Sequence, residues 1–349
     1  MDEVRIPNYL DQLIQDDIGT KPICMHGVGG ILKEMHVGLK KSLKCNIVKS
    51  IETLLNSSSR EYYNWLQDKR PIPVAKAKNL HLFWQSVTGV EKLDGDMLWE
   101  RLYAECSGFS VDSGKLVLLP KVKSPNLAYL VGAIFGDGCL YSHTKRKFGW
   151  KSRYGMQITD ECKEYLQNVV SPKLEHVFGV KPVILKGSGN WYTLVVHSKV
   201  IYLFLKNVLK VPAGKKKGKL IIPSLVKQSP TTAAAFLRGL FDTDGWISKI
   251  SVAKPSIGLS QSDDRFLKEI KEMLSRFGIL IGGPYPSGSR KGSELRSFNS
   301  QTIKKFMCAV GFEHPLKKRV SANADKVYYH DSVNQNRASV AQPGRAIAS

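Results

Sequence analysis

A chain of 349 residues has room for two or three domains, and a hydrophobic content of 42% is that of a folded protein with a sizeable core. Fifty-two Lys and Arg against 30 Asp and Glu give a net charge of +22 and a pI near 9.7, which points to a polyanionic partner, nucleic acid first. The longest apolar runs, such as "VIYLFL" at 200–205, are too short to span a bilayer, and the acidic start "MDEVRIPNYLDQ" is no secretory signal. None of the six cysteines has C-x-x-C spacing, so reduced thiols and a cytoplasmic protein without membrane contact are expected.

Residues 1–120 read as several short helices forming an accessory domain. Within it, 59–85 has Ser58 or Ser59 as a cap, a Trp65/Leu66 core, a basic turn at Lys69-Arg70-Pro71 and a following helix. Two readings stand: a helix-turn-helix module adding a DNA contact, or a plain helical subdomain. Residues 121–210 form a first repeat half, 211–228 a basic linker and 229–327 a second half; the polar tail 328–349 is expected to be disordered. "GKKKGK" (214–219) is too short for a Walker loop and lacks its Ser/Thr, so it reads as a linker that touches phosphates.

The halves are legible as a duplication. "SPNLAYLVGAIFGDG" (124–138) is restated by "SPTTAAAFLRGLFDTDG" (229–245), each opening with Ser as N-cap and Pro at the first helical position. Both carry Leu-x-Gly-x4-Asp-Gly: Leu130, Gly132, Asp137 and Gly138, then Leu237, Gly239, Asp244 and Gly245. Strand-like and helical segments follow in matching order, with Phe178-Gly179 answering Phe277-Gly278 and Ser198 answering Ser300. Each half reads helix, two strands, helix, two strands, helix: an α/β (α+β) fold of two pseudo-symmetric halves with antiparallel sheets.

Small residues stand four apart on each motif helix: Ala128, Gly132 and Gly136, then Ala235, Gly239 and Thr243. Residues so spaced share a face and let two helices approach closely. Packing along these stripes brings the helix ends together, and Asp137 with Asp244. Two apposed carboxylates need a cation, and oxygen ligands with room for water suit Mg²⁺.

The two copies, "LVGAIFGDG" and "LRGLFDTDG", resemble the LAGLIDADG motif of the homing endonucleases, and 124 to about 318 follows that family's order of elements. The resemblance implies a single-chain, monomeric, two-motif enzyme with saddle-shaped sheets that makes a double-strand break in a long DNA site. It implies divalent metal, Mg²⁺ with Mn²⁺ as substitute, held at Asp137 and Asp244 with the carbonyls of Gly136 and Thr243. The family often has a Gln-Lys pair where the second strand meets the next helix. Here Gln261 fits, Asp160-Glu161 stands in the first half, and the lysine is missing from both; Lys249 is the candidate to replace it.

The polar sheet face would enter the major groove. Met156 and Ile158 point inward while Arg153, Gln157 and Thr159 point out; Ile257 and Leu259 point inward while Ser256 and Ser260 point out. Basic, polar and aromatic DNA-binding candidates are Tyr141, His143, Lys145, Arg146, Lys151, Arg153, Gln157, Lys186, Trp191, Lys254, Arg290, Lys291 and Arg296. The family is encoded in introns or inteins. An initial Met without N-terminal Cys or Ser is not expected of an intact intein, and "SVAQPGRA" in the tail is what one frame of a transfer-RNA D-arm would encode. Two rivals use the same scaffold: a maturase that binds intron RNA, and a non-cleaving DNA-binding regulator.

Overall fold

The computed structural model describes residues 5–15, 17, 21–43, 46–89, 92–111, 114–143, 153–248, 255–287 and 292–321; the tail 328–349 lies outside them. Among the described residues no helix is long and apolar enough to cross a membrane.

The N-terminal region holds α1 (Leu10–Ile14), β1 (Ile23–His26), α2 (Gly29–Ser42), α3 (Ile47–Leu55), α4 (Ser59–Leu66), β2 (Ile72–Pro73), α5 (Val74–Thr88), α6 (Lys92–Glu105) and β3 (Gly108–Val111). The expectation of helices alone is corrected here. β1 pairs antiparallel with both β2 and β3, and strands of four residues or fewer are too short for an alternating pattern to stand out in the sequence. The region is seated on the first repeat half. Tyr9 meets Phe204 edge-on at 5.2 Å, Asn207 Nδ2 donates to the Gln12 carbonyl at 3.0 Å, and a buried Lys199–Asp17 ion pair closes at 2.5 Å.

The first half contains α7 (Pro125–Phe135), β4 (Gly138–His143) and β5 (Arg153–Asp160). Next come α8 (Lys163–Tyr165), which runs through a π turn at Leu166–Val170 into α9 (Ser171–Phe178), then β6 (Val183–Lys186) and β7 (Tyr192–His197). α10 (Lys199–Leu203) closes the half, with a second π turn at Phe204–Val208. After α11 (Ser224–Lys227) the plan repeats as α12 (Pro230–Thr243), β8 (Gly245–Ile247), β9 (Ile257–Gln261), α13 (Asp264–Ser275), β10 (Gly282–Pro286), β11 (Ser293–Ser297) and α14 (Ser300–Ala309). The sheets run β4-β5-β7-β6 and β8-β9-β11-β10, antiparallel throughout and in the same order.

Local chemistry repeats with the topology. Ser124 Oγ accepts from Leu127 N and Ser229 Oγ from Thr232 N, both at 3.2 Å, satisfying helix-end donors at the two Ser-Pro openings. Gly179 (φ +65°) and Gly278 (φ +68°) take the left-handed conformation just beyond their helices. One cap differs: Asn299, not Ser300, accepts from Thr302 N at 3.0 Å.

Alternation along β5 and β9 puts Met156, Ile158, Ile257 and Leu259 in the core, while Arg153 is exposed and Gln157, Thr159 and Ser260 are half-buried. Ser256 departs from the outward position expected of it. It is 7% exposed because Ser248 Oγ accepts from its N–H at 2.7 Å and Ser248 N donates to its carbonyl at 2.9 Å.

α7 and α12 form the seam between the halves. A Cβ on Gly132 would run into the Phe236 carbonyl and reach Leu240 N at 2.9 Å; one on Gly239 would run into the Tyr129 carbonyl and reach Ala133 N at 3.0 Å. The backbones touch where only glycine fits. Around this seam Leu127, Leu130, Phe236, Leu237 and Leu240 have no solvent exposure, each contributing about 1.5–3 kcal/mol of apolar burial.

Candidate active site

Each motif helix ends at the seam on a short turn into its first strand. Gly136 lets the second helix close in, since a Cβ there would strike the Thr243 side chain and stand 3.3 Å from Asp244 Cγ. Asp137 and Asp244 are thereby delivered to one shared edge. Matching backbone bonds fix them: Thr159 N to Asp137 O and Ser260 N to Asp244 O, both at 3.4 Å.

Asp137 is exposed at the rim and Asp244 half-buried. Burial pushes the Asp244 carboxyl up to about 7, and the charge of Asp137 adds to the rise against the pull of Lys216, Lys317 and Gln261. Asp137 still reaches solvent at the rim, but the protein packed around its carboxyl strips enough water to raise it too, with repulsion from Asp160 behind that. Gln261 is bonded where the sequence placed it, its Nε2 donating to Asp244 Oδ2. The backbone match makes Asp160 its first-half counterpart. That acid accepts from Cys162 N at 2.6 Å and faces His314 Nε2 at 3.4 Å.

Two lysines that are not at the strand-helix junctions reach the ends of the motif helices. Lys216 Nζ donates to the carbonyls of Ile134 (3.1 Å), Phe135 (3.0 Å) and Gly136 at the end of α7. Lys317 Nζ donates to Phe241 (2.9 Å), Asp242 (2.7 Å), Thr243 (3.1 Å) and Gly245 (2.5 Å) at the end of α12. An ammonium at each helix C-terminus meets the negative end of the dipole. Burial lowers both lysine pKa values, while the nearby acids, Asp137 and Asp244 among them, hold them up. Lys216 comes from "GKKKGK", the segment read as a basic linker, and turns inward to the carbonyls at the end of α7. Neither lysine could be found by motif, because each stands 73 to 79 positions after its acid and only the fold joins them. The helix pair also buries Asp242 (1% exposed), which accepts from Tyr129 OH at 2.5 Å and is pushed up to about 6, mainly by burial.

The remaining candidates divide by place. Tyr141, His143, Arg153 and Gln157 share the β4–β5 pair, where Tyr141 OH bonds His197 Nδ1 at 2.8 Å. Lys186 and Trp191 stand at the opposite sheet edge, both exposed. Arg296 is exposed on β11, its guanidinium 5.1 Å from the Tyr285 ring centre. Lys145, Arg146, Lys151, Lys249, Lys254, Arg290 and Lys291 lie outside the described residues. Trp246, which the sequence reading passed over, covers Gly258 on the β9 face that carries the polar side chains.

Residues 231–311, the second motif helix through α14, match the LAGLIDADG-like domain family. This segment is a LAGLIDADG-like domain. The first half repeats its plan in sheet order, caps and acid. The chain is similar to a glutamine–fructose-6-phosphate aminotransferase of Methanocaldococcus jannaschii, 31% identical over 194 residues, covering 52% of this chain and 16% of that protein. It is also similar to a DNA polymerase of Thermococcus litoralis, 30% identical over 154 residues, covering 43% of this chain and 8% of that one. The chain thus spans a small fraction of these relatives. Among solved structures it resembles the LAGLIDADG protein I-DmoI in complex with DNA and Mn, with TM-score 0.43, 20% identity, and coverage of 54% of this chain and 96% of that one.

Proposed function

We propose that this chain is a site-specific, metal-dependent endonuclease that cuts both strands of duplex DNA at Asp137 and Asp244. The observation that carries this reading is the pair of acids meeting across the Gly132/Gly239 seam, each beside an inward-turned lysine. One chain supplies both halves, so a monomer holds a complete site.

The donor set suits a hard divalent cation such as Mg²⁺, with Mn²⁺ as substitute. Among the described residues no three His, Cys, Asp or Glu form a ligating cluster. The donors are instead two carboxylates with the carbonyls of Gly136 and Thr243, leaving positions for water. Those carbonyls accept from the ammonium groups of Lys216 and Lys317 in this structure, so a metal that uses them would share them with those groups or displace them. When bound, the metal neutralises charge on the attacking and leaving oxygens of the phosphodiester. The chain's own part is positional and electrostatic: Gln261 orients the Asp244 carboxylate, and the two lysines offer fixed positive charge to the phosphate in each strand.

The curated relatives are named for unrelated activities, and this chain matches only a fraction of each. That supports a module carried by different hosts, as homing implies, over the hosts' own chemistries. The test is incubation with Mg²⁺ and a plasmid bearing the uninterrupted host locus. One defined double-strand cut, lost in Asp137→Asn, is expected; binding to intron RNA without any cut would favour the maturase.

A further inference from the structure

The N-terminal region holds a second feature built for nucleic acid, apart from the two acids. α3 and α4 are joined by three residues, Asn56, Ser57 and Ser58. Asn56 ends α3 in the left-handed conformation (φ 46°), and Ser58 Oγ caps α4 by accepting from Glu61 N at 3.3 Å. Glu52 of α3 reaches across the turn and accepts from Ser59 N at 2.6 Å, bracing the turn between the helices. Two helices joined by a capped three-residue turn have the connectivity of a helix-turn-helix. That connectivity places the module at 47–66, where the sequence reading had put it at 59–85; the stretch between α4 and α5 is the bend that leaves the module.

α4 is sharply two-sided. Tyr62, Trp65 and Leu66 are buried against α2, α3 and α5, while Arg60, Tyr63 and Gln67 stand exposed along the opposite face at helical spacing. The acids of this region are engaged by neighbouring groups. Glu52 holds Ser59, Asp68 Oδ1 accepts from Gly29 N at 2.8 Å, and Glu61 lies 4.0 Å from Lys76. Across 29–78 the chain has ten Lys and Arg against four Asp and Glu. A basic module presenting Arg, Tyr and Gln from its second helix matches duplex DNA in charge and in groove chemistry.

We infer that α3 and α4 form a second DNA-reading module, with α4 entering the major groove of B-form DNA outside the segment held by the two acids. A-form RNA has a major groove too narrow for a helix, so duplex DNA is the occupant. Contacts of Tyr9, Asp17 and Gln12 seat α1 on the first half, and α5 packs against both α1 and α3, which ties the module to that half. The two contacts therefore keep one spacing on the DNA. The inference rests on the proposed function only in taking duplex DNA as the partner.

The test selects binding sites from a randomised duplex library with the full chain carrying Asp137→Asn, with and without Arg60→Ala and Tyr63→Ala. Enriched duplexes are expected to show two blocks of preferred bases at one spacing. The variant should keep the longer block, lose the shorter, and bind two-block duplexes roughly 5- to 150-fold more weakly. Inserting about five base pairs, half a helical turn, between the blocks should weaken the unsubstituted module and leave the variant unaffected. Both substituted residues are exposed, and an unchanged thermal melt verifies the fold. A single block selected by both proteins, or tighter binding to RNA hairpins than to any duplex, overturns the inference. Two blocks without any cut by the Asp137 protein would sink the proposed function and leave this inference standing.

Discussion

Lys317 Nζ donates to the Thr243 carbonyl at the end of α12 at 3.1 Å, and Lys216 Nζ donates to the Gly136 carbonyl at the matching place at the end of α7. The two contacts are related by the internal repeat. Each lysine therefore caps one motif helix, and by the proposed mechanism each serves one DNA strand. Lys216→Met keeps the bulk and removes the charge. We expect its double-strand cutting to fall about 100-fold, with nicked circles accumulating. Lys317→Met should nick the opposite strand, and gel analysis with strand-specific end labels distinguishes them. Equal slowing of both strands by each variant would contradict the assignment.

The raised carboxyl of Asp244 bears on stability. Its folded pKa, about 7, lies above the ordinary carboxylate range, so the neutral form is favoured in the folded metal-free protein. That contribution is full below about pH 4 and is lost as pH rises through 7. Asp244→Asn mimics the neutral form. It should stabilise the metal-free protein by about 1–3 kcal/mol above pH 7 and by almost nothing near pH 4, in urea titrations at both pH values.

The same shift couples metal binding to protons. A ligand that is half protonated near pH 7 must lose its proton to bind a cation. Mg²⁺ affinity should rise with pH through about 7, and calorimetry in buffers of different ionisation heat should detect proton release. Asp244→Asn should abolish that release.

The seam makes a separate claim about packing. Gly132→Ala places a methyl group against backbone atoms of α12, which cannot turn aside. We expect a loss of at least about 2 kcal/mol in denaturant unfolding. Gly30, beside which a Cβ would meet nothing within 4 Å, is the control, and Gly30→Ala should leave the midpoint nearly unchanged.

Much of this site was legible before the fold. Asp137, Asp244, the small-residue stripes and the Ser-Pro caps lie within single helices, where spacing of four and capping chemistry are local rules. Gln261 was legible through the family resemblance, which implies a Gln-Lys pair where the second strand meets the next helix. Lys216 and Lys317 were not: they reach the acids from segments distant in sequence, and a lysine in a basic run looks like any solvated charge. Asp160 was legible as the first-half residue at the place of Gln261, and the matching bonds of Thr159 and Ser260 agree with that pairing. Ser256 was misplaced because alternation predicts side-chain direction but not the hairpin contact with Ser248 that covers it.

Joint service of Asp137 and Asp244 in double-strand cleavage can be read from digests of a plasmid that bears the uninterrupted host locus, using the full chain, Asp137→Asn and Asp244→Asn, in Mg²⁺ and in Mn²⁺. We expect one defined double-strand cut by the unsubstituted protein and none by either variant, with DNA binding retained by all three. Tight binding without cutting in either metal, or full cutting by either variant, would contradict that joint service.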